Sequence, residues 1–596
     1  MKYQNSIIDN IRSEYIDKYL ECAKKINYTD LTEHDGLKTV LYKDLPYTDI
    51  EGYPCASDFV APDGQAFSVE EFYTLPKDFR ERCELRFYYL PYSHELYVGS
   101  TGSGKTTGCA EPQLRAISSQ KNKPNLFLTD PKGELFNRNA RHLKEQGYKL
   151  FLLNFKDLVR SDSWNPLLEI YDTHMQISKI GNDLIMRTGK VPSNLIKTNT
   201  FKRYSEDGYL EYKGYAFPDA ESYEEYTQFE KDFLEAKTDS LVNQLANMII
   251  VPQSNTDKSW EYGAQDLLKG LINCLLEEAS DPQNKFTRDM MNFRNLQKFY
   301  QALKGPILSN ETDITFYNHP LLKNKSAKTK AQIACALNNA PNTMRSYCGV
   351  FDNATKDWFQ GHIYALTSGN TINLDDSDNE PFAIFLITRD YEKSDFLIAG
   401  MFIDWVYKTM LERAERNQTE RATHFLLDEF GNIPKIKDFE NKIATSRSRN
   451  IWFHLIVQSY QQLDLIYGRE TSVIIRDNCN AQIFLGSQNR ETKEIFSNEC
   501  GRHSIPTLES KLKLDDNSIT EVPLIPVSGL EALAPGQMYV KRLYMPVITS
   551  QFIRSYTCAE QGVFKNFFDG RGLSTCTPIR IESYTSDKYN YKKIED

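Results

Sequence analysis

Residues 96–108 read LYVGSTGSGKTTG, and within them Gly99, Gly104, Lys105 and Thr106 complete the pattern G-x-x-x-x-G-K-T directly after a short apolar strand ending at Val98. A loop of this spacing turns backbone N–H groups inward around phosphate oxygens. Its expected nucleotide contacts are Gly99, Ser100, Thr101, Gly102, Ser103, Gly104, Lys105, Thr106 and Thr107. Lys105 is placed to reach the β and γ phosphates and Thr106 to hold Mg²⁺. A helix from Thr106 onward adds its positive N-terminal end to the same phosphates. Strand, loop and helix follow in the order the motif needs, which predicts an α/β fold that binds a nucleoside triphosphate.

Far downstream, THFLLDEFGNI sets the apolar strand Phe425, Leu426, Leu427 immediately before Asp428 and Glu429. An acid pair capping a buried strand is the partner that a phosphate loop requires. Asp428 is expected in the Mg²⁺ shell, and Glu429 is expected to orient or deprotonate the attacking water. The bland alternative is a pair of surface acids. With the loop already present, the pair points to hydrolysis as well as binding.

The surrounding pattern is a parallel sheet. Asn125 to Thr129 reads as a strand ending in Asp130-Pro131-Lys132-Gly133-Glu134, followed by a helix and by the strand Lys149 to Asn154. Asp130 and Lys132 either face the nucleotide, as residues at strand carboxyl ends do, or form a plain strand-to-helix turn. Strand Phe382 to Ile387, helix Phe396 to Glu412, the acidic strand, helix Asp438 to Arg449 and strand Trp452 to Val457 continue the alternation. Between them, residues 164–369 read as helices. The clearest runs from Lys258 to Glu278, where Trp260, Ala264, Leu267, Leu268, Leu271, Ile272, Leu275 and Leu276 recur at helical spacing and mark a core stripe.

Composition narrows the classes. The chain has 596 residues, 40% of them hydrophobic, enough for two or three subdomains. The longest nearly uninterrupted apolar run, Phe396 to Ile403, falls far short of the roughly 20 residues that span a bilayer, and the first residues show no signal-peptide core. This reads as a soluble cytoplasmic chain. Eleven cysteines without a C-x-x-C pair suggest reduced thiols, Cys109 among them as a small helix residue. A net charge of −10 argues against coating nucleic acid by bulk attraction but permits a local basic lining. Residues 205–237 carry ten acids against three lysines and read as a solvated insertion or partner surface. Lys323, Lys325, Lys328 and Lys330 read as the solvated start of a helix sooner than as a DNA contact.

GSTGSGKTT, DPKGE, SWNPL at 163–167, a helical insertion with a Trp near the start of a long helix, LLDEFGNIPKI, SRSRNI, VQS and PLIPVSGLEALAPGQMYV together resemble the type IV coupling proteins, the TraG/TraD-like conjugative ATPases. The resemblance covers residues 90–560. It implies a RecA-like P-loop NTPase domain (91–163 and 370–560) with an inserted all-α domain (164–369); outside its reach, the residues themselves read as an N-terminal segment (1–90) of helical patterns and turns without phosphate chemistry, and as a flexible tail (561–596) rich in Tyr, Lys, Ser and Asp. The resemblance further implies ATP and Mg²⁺ as cofactors. It implies a homo-hexameric ring around a DNA strand or duplex, or a monomer when isolated, that delivers DNA and relaxase to a type IV secretion channel. Its expected catalytic set is Lys105, Glu429, the sensor Gln458 and Arg447 as a finger reaching a neighbouring subunit, with Arg449 as the rival for that place. Coupling proteins usually begin with transmembrane helices, and residues 1–95 offer none. Recruitment to the inner face of the membrane by a separate protein is therefore expected, against two alternatives: a FtsK- or HerA-like DNA motor, and a nucleotide-gated docking platform for secreted proteins.

Overall fold

Strands made of continuous apolar runs, buried on both faces, build the centre of the computed structural model. Such runs are what a parallel sheet covered on both sides demands. The structure describes residues 38–555 apart from 51, 68, 189, 191–192, 198–207, 253–257, 310–312, 375–376, 378, 390–392, 417–420, 434, 507–518, 535, 544 and 546. The expected flexible tail, 561–596, and the first 37 residues lie outside the described residues. Two units are present, one of residues 38–160 with 373–555 and one of residues 161–372.

The first unit holds a nine-stranded sheet. In chain order its strands are β1 (Glu95–Gly99), β2 (Asn125–Thr129), β3 (Lys149–Asn154), β4 (Phe382–Ile387), β5 (Thr423–Leu427), β6 (Ile451–Val457), β7 (Ala481–Gly486), β8 (Gln537–Arg542) and β9 (Ile548–Gln551). Their spatial order is β9-β8-β7-β1-β6-β5-β2-β4-β3. From β7 to β3 every pairing is parallel, and β8 and β9 close one edge as antiparallel strands. The phosphate-loop strand β1 and the acidic strand β5 are thus separated by β6 alone. That is the α/β, RecA-like P-loop arrangement expected, with three strand ends side by side at the carboxyl edge.

Residues 38–90 depart from the helical pattern expected for them. Lys38–Leu41, Tyr53–Val60, Ala66–Phe67 and Glu84–Leu90 form a four-stranded antiparallel sheet. Its Tyr53, Phe59, Phe87 and Tyr89 share one core with Leu114 and Ile117, which follow the phosphate loop, and with Met538 and Ile548 at the sheet edge. Ser550 Oγ donates to Cys55 O at 2.9 Å and Ile553 N–H to Ser57 Oγ at 2.9 Å, tying the two sheets together.

The second unit is mainly helical, its longest elements being Ala220–Ile249, Ser259–Ser280 and Phe293–Leu308. The all-α expectation needs one correction. Ile185–Arg187, Ile196–Lys197, Tyr209–Tyr212 and Tyr215–Phe217 pair into a small sheet, and strands of two to four residues are too short to show periodicity in the sequence. The acidic stretch supplies two of these strands and much of the long helix. Trp260 packs against Tyr347 at 4.7 Å between ring centres. The lysine cluster divides: Lys325 is buried, pairs with Glu278 at 2.8 Å and donates to Cys274 O at 3.0 Å, while Lys328 pairs with Asp239.

Candidate nucleotide site

Gly102 and Gly104 take φ values of 84° and 89°, the left-handed backbone that glycine adopts at no steric cost, with nothing within 4 Å of where a Cβ would stand. Of the loop's N–H groups, that of Ser100 donates to Gly486 O at 2.9 Å and that of Ser103 to Ser100 O at 3.1 Å. The helix after the loop begins with a π turn, Thr106–Ala110, before the α-helix Glu111–Ser118. Pro112 explains the slip, because it has no N–H to give to the carbonyl of Gly108 four residues earlier. Cys109 sits in this turn, buried in the core, as a small helix residue.

Lys105 is buried; its Nζ donates to Gly99 O at 2.7 Å and lies 3.9 Å from Glu429 Oε1. Glu429 lies two residues past the end of β5 with φ 51°, an uncommon value for a residue with a Cβ, and its Oε2 accepts from Gln458 Nε2 at 2.9 Å. Lys105, at the helix start after the loop that follows β1, and Gln458, just past β6, therefore both reach the Glu429 carboxylate. Asp428 is buried beside them. Its Oδ1 accepts the Glu429 N–H at 2.9 Å and its carbonyl accepts from Thr129 Oγ1 at 2.8 Å, which fixes the end of β5 to the end of β2. Burial, then the neighbouring charge of Glu429, pushes the Asp428 carboxyl up to about 6, with Asp130 adding to the shift and Lys105 opposing it.

The residues fit a nucleotide with Mg²⁺. Ser103 Oγ is buried in the loop without a hydrogen-bond partner among the described residues. The charges of Glu429 and, less, Asp130 both act on the buried Asp428 carboxyl, and a divalent cation beside it would offset them. Among the described residues no group of three His, Cys, Asp or Glu stands ready to hold a metal by itself. Mg²⁺ is commonly held by one or two protein groups together with phosphate oxygens and water, a role open to Thr106 and Asp428. The buried Asp130 carboxylate also holds the backbone in shape, since its Oδ2 accepts the Phe136 N–H at 2.8 Å and caps the helix Glu134–Glu145. Lys132 is exposed.

Arg447 is not brought to this site. It is exposed on the short turn Arg447–Arg449 before β6, whereas Gln458 follows β6, so a seven-residue strand, about 20 Å long, lies between them. Arg449 is engaged within its own chain, with Glu415 at 3.2 Å and Thr445 O at 3.1 Å.

Two contributors are not legible in the sequence. The end of β7 braces the phosphate loop, since Gly486 O accepts from Ser100 N–H at 2.9 Å and Ser100 Oγ at 3.2 Å, and Ser487 Oγ reaches Gln458 O at 3.5 Å. Gln462 Oε1 accepts the Gln458 N–H at 2.9 Å. Only the spacing Ser459-x-x-Gln462, a helix-start signal, hints at the second.

The model of the family described as "Type IV secretory system Conjugative DNA transfer" matches residues 58–520, well over half of the chain. The chain belongs to this type IV secretory conjugative DNA transfer family. Protein VirD4 of Rhizobium rhizogenes is 22% identical over 454 residues, which cover 75% of this chain and 54% of that protein. VirD4 of Agrobacterium fabrum (strain C58) is likewise 22% identical, with 75% and 55% covered. Coupling protein TraD of Escherichia coli K12 is 19% identical over 260 residues, 43% of this chain and 33% of that protein. The chain thus spans about half the length of the VirD4 relatives it matches. Among solved structures, the conjugative coupling protein TrwBdeltaN70 in its unbound form is 13% identical, with a TM-score of 0.49, covering 87% of this chain and 93% of that one. No helix among the described residues is long and apolar enough to cross a membrane.

Proposed function

We propose that this member of the conjugative DNA transfer family is an ATP-hydrolysing motor that moves DNA, with its bound relaxase, into a type IV secretion channel. The observation that carries the reading is that Lys105, after the phosphate loop, and Gln458, just past β6, both reach the Glu429 carboxylate just past β5. The phosphate loop and Lys105 bind the β and γ phosphates, and Thr106 and Asp428 would hold Mg²⁺, which would supply neutralisation of the phosphate charge. Glu429, oriented by Gln458, accepts a proton from the attacking water. The water oxygen bonds to the γ-phosphorus as the bond from that phosphorus to the bridging oxygen breaks, and ADP, which keeps the bridging oxygen, and phosphate result. Loss of phosphate changes what Glu429 and Gln458 touch, which passes the event on to the strand β6.

Arg447 is assigned to the neighbouring subunit's nucleotide. Its exposure, and its distance from its own chain's site, support action across a boundary in a homo-hexameric ring, which the isolated monomer lacks. We place the motor at the inner face of the membrane, docked on the channel or on a membrane recruiter. Steady-state ATP turnover of the purified chain, with and without single- and double-stranded DNA, tests the reading. Turnover stimulated by DNA, and abolished by Lys105→Ala or Glu429→Gln while the fold persists, is expected. Turnover indifferent to DNA would redirect the assignment to protein cargo, and full turnover in Glu429→Gln would remove that residue from the mechanism.

A further inference from the structure

We infer that Gln462 is a positioning residue for hydrolysis, setting the sensor Gln458 and the turn of Glu429 in fixed relation; the inference rests on the assignment of those two residues above. Gln462 stands in the first turn of the helix Tyr460–Tyr467, whose start is marked by Ser459. At this position a Gln side chain ordinarily reaches back to the N–H of the helix-capping residue. Here it reaches one residue further, and its Oε1 accepts the N–H of Gln458 at 2.9 Å. The same side chain lies flat against Gly431: a Cβ on that glycine would stand 2.4 Å from Gln462 Oε1 and 2.8 Å from its Cβ. Gly431 belongs to the tight turn closed by the bond from Asn432 N–H to Glu429 O at 2.7 Å. One side chain therefore touches the backbone of the sensor and the turn that aims the general base.

The geometry leaves little slack. The Gln458 backbone is held on its N–H by Gln462 and approached on its carbonyl by Ser487 Oγ at 3.5 Å, so its side chain projects from a fixed peptide toward Glu429 Oε2. Glu429 itself sits at φ 51°, a conformation that the surrounding turn must enforce. Gly431 is required by the close approach, because any larger residue would displace Gln462 and with it the Gln458 peptide. A Gln that only capped the helix would affect stability and leave catalysis alone. A positioning residue does the reverse.

The test is ATP turnover by the full chain carrying Gln462→Met, which keeps the length and the packing on Gly431 but removes the acceptor, beside Gln462→Glu, which keeps an acceptor at a helix start where a carboxylate is favourable. For Gln462→Met, kcat should fall by about tenfold to a hundredfold, the penalty of a misplaced catalytic group. KM for ATP should stay within about twofold and Tm should hold, and Gln462→Glu should recover most of the lost kcat. Unchanged kcat in Gln462→Met overturns the inference. So does a loss that Gln462→Glu shares, or one that comes with a matching fall in Tm, since either marks a purely structural part. Glu429→Gln is run alongside: if it retains turnover, the underlying assignment has failed and the inference with it, whereas an inactive Glu429→Gln beside a normal Gln462→Met rejects the inference alone.

Discussion

Glu95 opens β1 at the end away from the phosphate loop, and it is buried among other polar groups. Its Oε2 accepts from Tyr97 Oη and lies 2.9 Å from His454 Nδ1, while His454 Nε2 lies 2.8 Å from His424 Nδ1. Burial pushes the Glu95 carboxyl up to about 8 and holds His454 down at about 3. Both shifts favour the uncharged forms, a carboxylic acid beside a neutral imidazole, below about pH 8. The folded pKa lies above the ordinary carboxyl value of about 4.3, so this group's contribution to stability is complete below that pH and is lost as pH rises through about 8. Glu95→Gln mimics the protonated acid. Melting curves between pH 5 and 9 should show wild-type stability declining with pH, at most ~1.4 kcal/mol per unit from this group, and the variant declining less. Equal slopes would place the titration elsewhere. This network is invisible in the sequence because its members come from three strands, and a buried acid–imidazole chain has no spacing of its own. Lys105, Asp428 and Glu429 are legible for the opposite reason: their chemistry is set by a few neighbouring residues.

Among the elements, β7 shows what pattern reading misses. Nothing in its sequence singles the strand out, yet its register shifts between Phe484 and Gly486, and Gly486, at φ 111°, turns its carbonyl to the Ser100 N–H. A side chain at 486 meets no neighbour within 4 Å, so its cost is backbone strain alone. For Gly486→Ala that strain is about 1–2 kcal/mol, relieved by moving the carbonyl away from the phosphate loop. Titration with a fluorescent ATP analogue should give a Kd raised about 5- to 30-fold, with the fold unchanged by circular dichroism. Wild-type affinity would mean the loop holds its shape without the brace. The N-terminal sheet escapes pattern reading on similar grounds. Tyr53–Val60 is buried on both faces, and its polar Ser57 and Asp58 are satisfied by the Ile553 N–H at 2.9 Å and by Arg86 at 2.7 Å. The alternation that announces a half-buried strand is therefore absent. The β2, β4 and β5 strands avoid this difficulty because unbroken apolar runs are themselves the signal of a parallel core.

At the scale of the whole molecule, the second unit is a crossover grown large. β3 and β4 are parallel neighbours, in register from Lys149 opposite Phe382 to Asn154 opposite Ile387. Parallel neighbours need a connection of about a dozen residues or more to return to the starting edge, and this chain uses residues 155–381 for it. The two ends of the second unit are fastened to each other: Ser163 and Thr371 exchange bonds at 3.0 Å, Thr371 Oγ1 donates to Asp162 Oδ1 at 2.8 Å, and Trp164 N–H donates to Leu366 O at 2.8 Å. A unit whose chain enters and leaves at one clasp can be lifted out without stretching what remains. Replacing residues 161–372 by a Gly/Ser linker of about four residues leaves 155–160 and 373–381 on either side, enough together for the crossover. The shortened chain should bind ATP with a Kd within about threefold of the parent, a difference worth under ~0.7 kcal/mol, and lose that binding on Lys105→Ala. The excised 161–372 segment, expressed by itself, should unfold in one cooperative transition. If the shortened chain is soluble and folded yet binds no nucleotide, the nucleotide site depends on the inserted unit, and the two cannot be treated as a motor and an independent module.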